Sequence, residues 1–205
     1  MEDWKATAGV ASVVFAVCGA APYLFAIVRG HRPPYATYIG WLLIGATAFF
    51  LHWNAIPEGH DRWSALLPAA YIVIPASYLL ILLLYRAPIT FSRRDTISIV
   101  GVVVTWVIWV AAQNAGERAL AVSLMALIMT DFFASWPILD DARRGYESKN
   151  ANRASWALSA ISAFLGVLAV SEAASLEITY PLYLLSLMAT IFAFSLAKQH
   201  PRESE

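Results

Sequence analysis

Apolar runs of about twenty residues alternate with short polar connectors along the whole chain. Seven such runs cover Ala8–Val28, Tyr35–Ala55, Ser64–Tyr85, Thr96–Ala112, Ala119–Leu139, Ala154–Val170 and Ile178–Ala197. At 1.5 Å rise per residue, about 20 apolar residues cross the roughly 30 Å hydrocarbon core of a bilayer. The pattern therefore predicts an all-α integral membrane protein with seven transmembrane helices. Each connector carries helix-stopping chemistry: RGHRPP, NAIPEGHDR, RAPITFSRRD, QNAGER, DDARRGYESKNANR and SEAASLE. None is long enough for a soluble domain, and the last run leads into a short polar tail, KQHPRESE.

Composition strengthens this picture. The 205 residues are 60% hydrophobic and only 14% charged, with a mean hydropathy of +0.61; soluble domains are usually about a quarter charged. The lipid bilayer is thus the first expected partner. A net charge of zero leaves no basic stripe to neutralise phosphates, which argues against nucleic acid. A single cysteine, Cys18, excludes an internal disulfide and a cysteine-based zinc site. The first five residues, MEDWK, are acidic where a secretory leader is basic, and bulky Val17 before Cys18 does not suit a lipoprotein anchor. The first run is therefore expected to be a retained span.

Lys and Arg collect on the cytoplasmic side of a membrane protein. Eleven of the 14 fall on one side: Arg29, Arg32, Arg86, Arg93, Arg94, Arg143, Arg144, Lys149, Arg153, Lys198 and Arg202. Lys5, Arg62 and Arg118 fall on the other. This asymmetry predicts a plasma (inner) membrane protein with its N-terminus outside and its C-terminus in the cytoplasm.

The chain also repeats itself. Shifted by 115 residues, Pro22 meets Pro137, Leu24 meets Leu139, Arg29 meets Arg144 and Gly30 meets Gly145. The same shift pairs Ala36 with Ala151, Trp41 with Trp156, Leu43 with Leu158, Ala48 with Ala163 and Phe49 with Phe164. Apolar composition does not cheaply produce matched Pro, Arg, Gly and Trp. Span one thus corresponds to span five and span two to span six. Span three pairs with span seven through their early prolines, Pro68 and Pro181. The expected domains are a first three-helix repeat (1–90), a linker helix (91–116) and a second repeat with the tail (117–205). An odd linker makes the repeats parallel, a 3+1+3 arrangement.

A proline near the end of the first helix of each triplet, a short basic loop and a Trp entering the next helix resemble the PQ-loop/SWEET superfamily. So does the three-one-three layout. The segment DFFASWPILDDARRGYESKNANRASW resembles poorly characterised bacterial seven-span members of that group. The glutamine of the PQ pair is missing, since Tyr23 follows Pro22 and Ile138 follows Pro137. The paired asparagines of the SWEET sugar pocket have no counterpart in spans three and seven. The resemblance implies a carrier fold more strongly than a sugar specificity. Prolines in membrane helices remove a backbone hydrogen bond and permit a bend, which makes Pro22 and Pro137 either equivalent hinges or static kinks. One chain already carries both triplets; a homo-oligomer is compatible with this layout but not required by it.

Asp131 is the sharpest candidate residue. It falls near the middle of span five, where a charge costs about 2.5–3.5 kcal/mol on insertion scales and must face a polar interior. Its repeat partner is Ala16, so only one triplet offers a carboxyl for a proton or a polar group. Trp41 and Trp156 present aromatic faces at equivalent positions, and Thr47 and Ser162 are equivalent hydroxyls deeper in the same helices. With Tyr71, Ser77, Tyr183 and Ser186 they form the expected substrate-binding set. Asp140, Asp141, Arg143 and Arg144 directly after span five are candidate gate charges. Trp106 and Trp109 share one face of span four and read as packing or lipid contacts.

No metal-ligand spacing, nucleophile elbow, P-loop or pair of catalytic carboxylates is visible, so neither an enzyme nor a metal or other cofactor is expected. A retinal photoreceptor would need a lysine midway along span seven, and Ile178–Ala197 contains none. The expected function is transport of a small, mostly neutral polar solute such as a sugar, amino acid or vitamin-like molecule by alternating access, with Asp131 either orienting the solute or carrying a coupled proton. The alternative is a seven-helix receptor or binding module without transport.

Overall fold

The computed structural model describes residues 3–29, 35–85, 93–112, 117–143, 150–172 and 175–196, without the side chains of some helix-end positions. Among the described residues it is helical throughout and has no strand. Seven helices follow one another: α1 (Asp3–Val28), α2 (Tyr35–Ala55), α3 (Leu66–Leu84), α4 (Arg93–Ala112), α5 (Glu117–Arg143), α6 (Asn150–Leu168) and α7 (Thr179–Leu196). Short 3-10 turns, Trp63–Ala65 and Leu176–Ile178, lead into α3 and α7. Each helix falls on one apolar run. α5 overruns its run at both ends, from Glu117 to Arg143, and α1 begins at Asp3, ahead of the first unbroken apolar residues.

The spans Trp4–Pro22, Trp63–Leu84, Arg118–Trp136 and Leu176–Leu196 are long and apolar enough to cross a membrane. Outward faces carry apolar stripes at helical spacing: Val100, Val103, Val107 and Val110 on α4, and Val122, Met125, Met129 and Phe133 on α5 are all exposed. Several hydroxyls are instead turned inward. Ser12, Thr105, Ser123 and Ser162 are fully buried.

α3 lies between α1 and α2, and α7 lies between α5 and α6. α1 packs along α6, while α2 meets α5 and α4 leans on α5 and α2. The main apolar core joins α2, α3, α5 and α7 through Leu51, Leu67, Leu124, Leu127, Tyr180 and Leu184. A second cluster, Ile27, Tyr38, Tyr78 and Leu82, fastens α1, α2 and α3 together.

Close helix crossings depend on missing side chains. A Cβ on Gly45 would run into the backbone carbonyl of Tyr71, so only glycine lets α2 approach α3 this closely. On α4, a Cβ at Gly101 would come within 2.6 Å of Thr130 Oγ1 on α5. Such contacts matter in lipid, where burying apolar surface from water no longer drives helices together and packing must. Hydroxyls then pin the crossings. Ser162 Oγ on α6 donates to the Ser12 carbonyl of α1 at 2.7 Å, and Trp106 Nε1 on α4 donates to Thr47 Oγ1 on α2 at 3.1 Å.

Candidate functional site

Six of the seven helices enclose a cavity of about 130 Å³, and α4 contributes nothing to its wall among the described residues. Much of the wall comes in pairs of residues at two fixed spacings, one member from α1–α3 and the other from α5–α7. Spaced by 115 residues, Ala16 faces in with Asp131, Ala20 with Ser135, Trp41 with Trp156, and Ile44 with Ser159. Spaced by 113, as set by Pro68 and Pro181, Tyr71 pairs with Leu184, Pro75 with Met188 and Tyr78 with Ile191. The positions match but the chemistry does not. Asp131, Ser135 and Ser159 replace Ala16, Ala20 and Ile44, so the polar wall comes from α5 and α6.

Asp131 lines this cavity with 8% of its surface exposed. Ser135 Oγ, one turn further along α5, approaches its Oδ1 at 3.5 Å, the outer limit of a hydrogen bond. Tyr71 and Tyr180 share the cavity wall with Asp131. The Tyr183 hydroxyl is buried beside the carboxyl but makes no hydrogen bond of good geometry among the described residues. No Lys, Arg or His lines the cavity among the described residues. A buried carboxyl with so few donors calls for a proton or a positively charged guest, because an isolated buried ion is costly.

Of the residues singled out in the sequence, Trp41, Tyr71, Asp131 and Trp156 line the cavity, and Tyr183 stands behind Asp131. Trp41 is held edge-on to Tyr38 with centroids 5.6 Å apart, and Trp156 is 8% exposed. The four hydroxyls lie elsewhere. Thr47 Oγ1 donates to Leu43 O at 2.8 Å and holds Trp106; Ser162 bridges to α1. Ser77 and Ser186 donate back to Val73 O and Leu182 O one turn earlier in their own helices. Pro22 lies inside α1, half-buried, and the α5 helix runs through Pro137. The side chains of Pro137, Asp140 and Asp141, and the whole of Arg144, lie outside the described residues; Arg143 is exposed at the end of α5.

A second polar cluster was not expected from the sequence. At the opposite end of the bundle Glu177 is fully buried, as are Ser64 and His52. Glu177 Oε1 accepts from Ser64 Oγ at 2.5 Å and from the Ser171 amide at 2.9 Å, and Oε2 accepts from Ser171 Oγ. Since Ser64 has one proton and gives it to Glu177, the 3.0 Å contact to His52 is a bond donated by His52 Nε2. His52 Nδ1 is left without a partner among the described residues. Lys5 Nζ closes the group by donating to the Ser171 carbonyl at 2.8 Å. His52 and Glu177 lie at span ends, where polar residues are ordinary, so neither drew notice. A usable signal was present: Ser64 and Glu177 each stand four residues before the matched prolines Pro68 and Pro181.

Compared with family models, with curated proteins and with solved structures, the chain finds no match in any of the three.

Proposed function

We propose that the protein is a membrane carrier in which two parallel three-helix repeats, α1–α3 and α5–α7, rock about the central cavity, with α4 as linker. The carrying observation is the cavity wall: repeat-equivalent positions of both triplets converge on one small chamber that holds a single, poorly partnered carboxyl, Asp131. Helix order supports the repeat, since the third helix of each triplet lies between the other two. So do the boundaries: α2 and α6 start at positions 115 apart, and the 3-10 turns before α3 and α7 at positions 113 apart.

The two polar clusters suit alternating access. Cavity residues lie toward the C-terminal end of α1 and the N-terminal ends of α2 and α6, the side the Lys and Arg distribution assigns to the cytoplasm. The other end is shut by Glu177 of the second triplet, bonded to Ser64 of the first, which is its repeat equivalent. Ser12 and Ser162 add a second bond between triplets on that side. Breaking this latch while the cytoplasmic ends close would expose the same chamber to the outside, and Asp131 would travel between the two faces with its guest or proton.

Uptake into liposomes of purified protein, screened across sugars, amino acids, amines and vitamins with and without a pH gradient, tests the reading. A transported solute should emerge, and Asp131→Asn should lower its uptake at least about tenfold, as expected for removing one partner of a buried charge interaction. Tight binding without flux would instead favour a receptor or binding module. Flux indifferent to Asp131→Asn would remove the carboxyl from the mechanism.

A further inference from the structure

The cavity's chemistry narrows its guest further than a small polar solute. A neutral polyol needs donors and acceptors on many sides, and this wall groups its small hydroxyls, Ser135, Ser155 and Ser159, on α5 and α6 alone among the described residues, while the Tyr78 hydroxyl of α3 is already spent on the Ala20 carbonyl at 3.0 Å. What the chamber does offer is one carboxyl, Asp131, and aromatic rings from four helices: Trp41, Tyr71, Trp156 and Tyr180. Aromatic faces carry negative potential and attract ammonium groups, more strongly when water is excluded. The carboxyl itself lacks strong donors, with only the 3.5 Å approach of Ser135 and the neighbouring Tyr183. A guest carrying a carboxylate would meet Asp131 with no basic side chain to receive it, among the described residues.

We infer that the chamber binds a monovalent organic cation, an ammonium group on a compact apolar or aromatic body with no carboxylate of its own. The inference rests on the reading of this cavity as the solute site. The ammonium sits against Asp131, donating to it where it has N–H groups, and the aromatic rings cover the carbon body. This replaces the mostly neutral solute expected from the sequence.

The test is equilibrium binding to the full-length protein in lipid nanodiscs, read by calorimetry and by tryptophan fluorescence. The probes are methylammonium, phenethylammonium, tetramethylammonium and choline. Choline is matched with 3,3-dimethyl-1-butanol, which has its shape without its charge, and with betaine, which adds a carboxylate. At least one cation should bind, and choline should bind at least about tenfold more tightly than either matched compound, a difference that one desolvated charge contact readily supplies. Asp131→Asn should erase the preference for choline over its neutral isostere. Equal binding of choline and the isostere to the unaltered protein, or binding by none of the cations, overturns the inference without depending on any variant's folding. Cation binding without flux would sink the carrier reading and leave this inference standing. Flux of neutral solutes without cation binding would do the reverse.

Discussion

At Asp131 the cost of burying a carboxyl is not offset by strong hydrogen bonds. Ser135 Oγ approaches it only at 3.5 Å, and the buried Tyr183 hydroxyl makes no hydrogen bond among the described residues. Glu177 is the opposite case, fully removed from water but accepting from Ser64, the Ser171 amide and the Ser171 hydroxyl. A saturated carboxylate fixes structure, whereas an unsaturated one facing a cavity is poised for a guest. The two should therefore respond differently to loss of charge. Glu177→Gln turns an amide N–H₂ toward groups that are themselves donors, and it should lower unfolding stability in micelles by about 1–3 kcal/mol. Asp131→Asn should leave stability unchanged or raise it, because it removes an ill-solvated charge. Denaturant titration of the two variants checks both signs. Asp131 was legible in the sequence because a mid-span charge is conspicuous. Glu177, Ser64 and His52 were not, because their meaning lies in the convergence of three distant chain segments.

Among the helices, the apolar runs gave seven elements, and the structure has a helix on each of them. Periodicity could not say which hydroxyls face a chamber and which tie helices together. Thr47 illustrates this: its equivalence to Ser162 suggested a pocket pair, yet both hydroxyls hold neighbouring helices, α4 in one case and α1 in the other. Thr47→Val should cost about 0.5–1.5 kcal/mol of stability, the ordinary worth of one such bond. It should leave the half-saturating solute concentration in the liposome assay unchanged. A several-fold rise in that concentration would return Thr47 to the binding site. Glycines were equally silent in the sequence, since their role depends on which backbone lies opposite. Gly45→Val forces α2 away from the Tyr71 carbonyl and should destabilise the bundle by about 1–3 kcal/mol, measured by the same titration. A neutral result would mean that the α2–α3 crossing is looser than drawn.

In the whole molecule, α1–α3 and α5–α7 follow the same packing order around one chamber, and polar bonds join the two sets at one end. Of the positions matched at 115 residues in the sequence, Ala16 with Asp131 and Trp41 with Trp156 line the chamber, whereas Thr47 and Ser162 do not. The match could not anticipate that α5 and α6 would supply nearly all of the polarity, since that asymmetry is written in single substitutions such as Ala16 against Asp131. The central claim is that this chamber opens to each side of the membrane in turn. The most direct measurement places one thiol in it, Ser135→Cys in a Cys18→Ser background, and labels oriented vesicles with a membrane-impermeant maleimide. The cysteine should react rapidly from the cytoplasmic side and slowly from the outside, with outside labelling rising several-fold when Glu177→Gln weakens the latch. Reaction from one side only, unchanged by Glu177→Gln, would contradict alternating access.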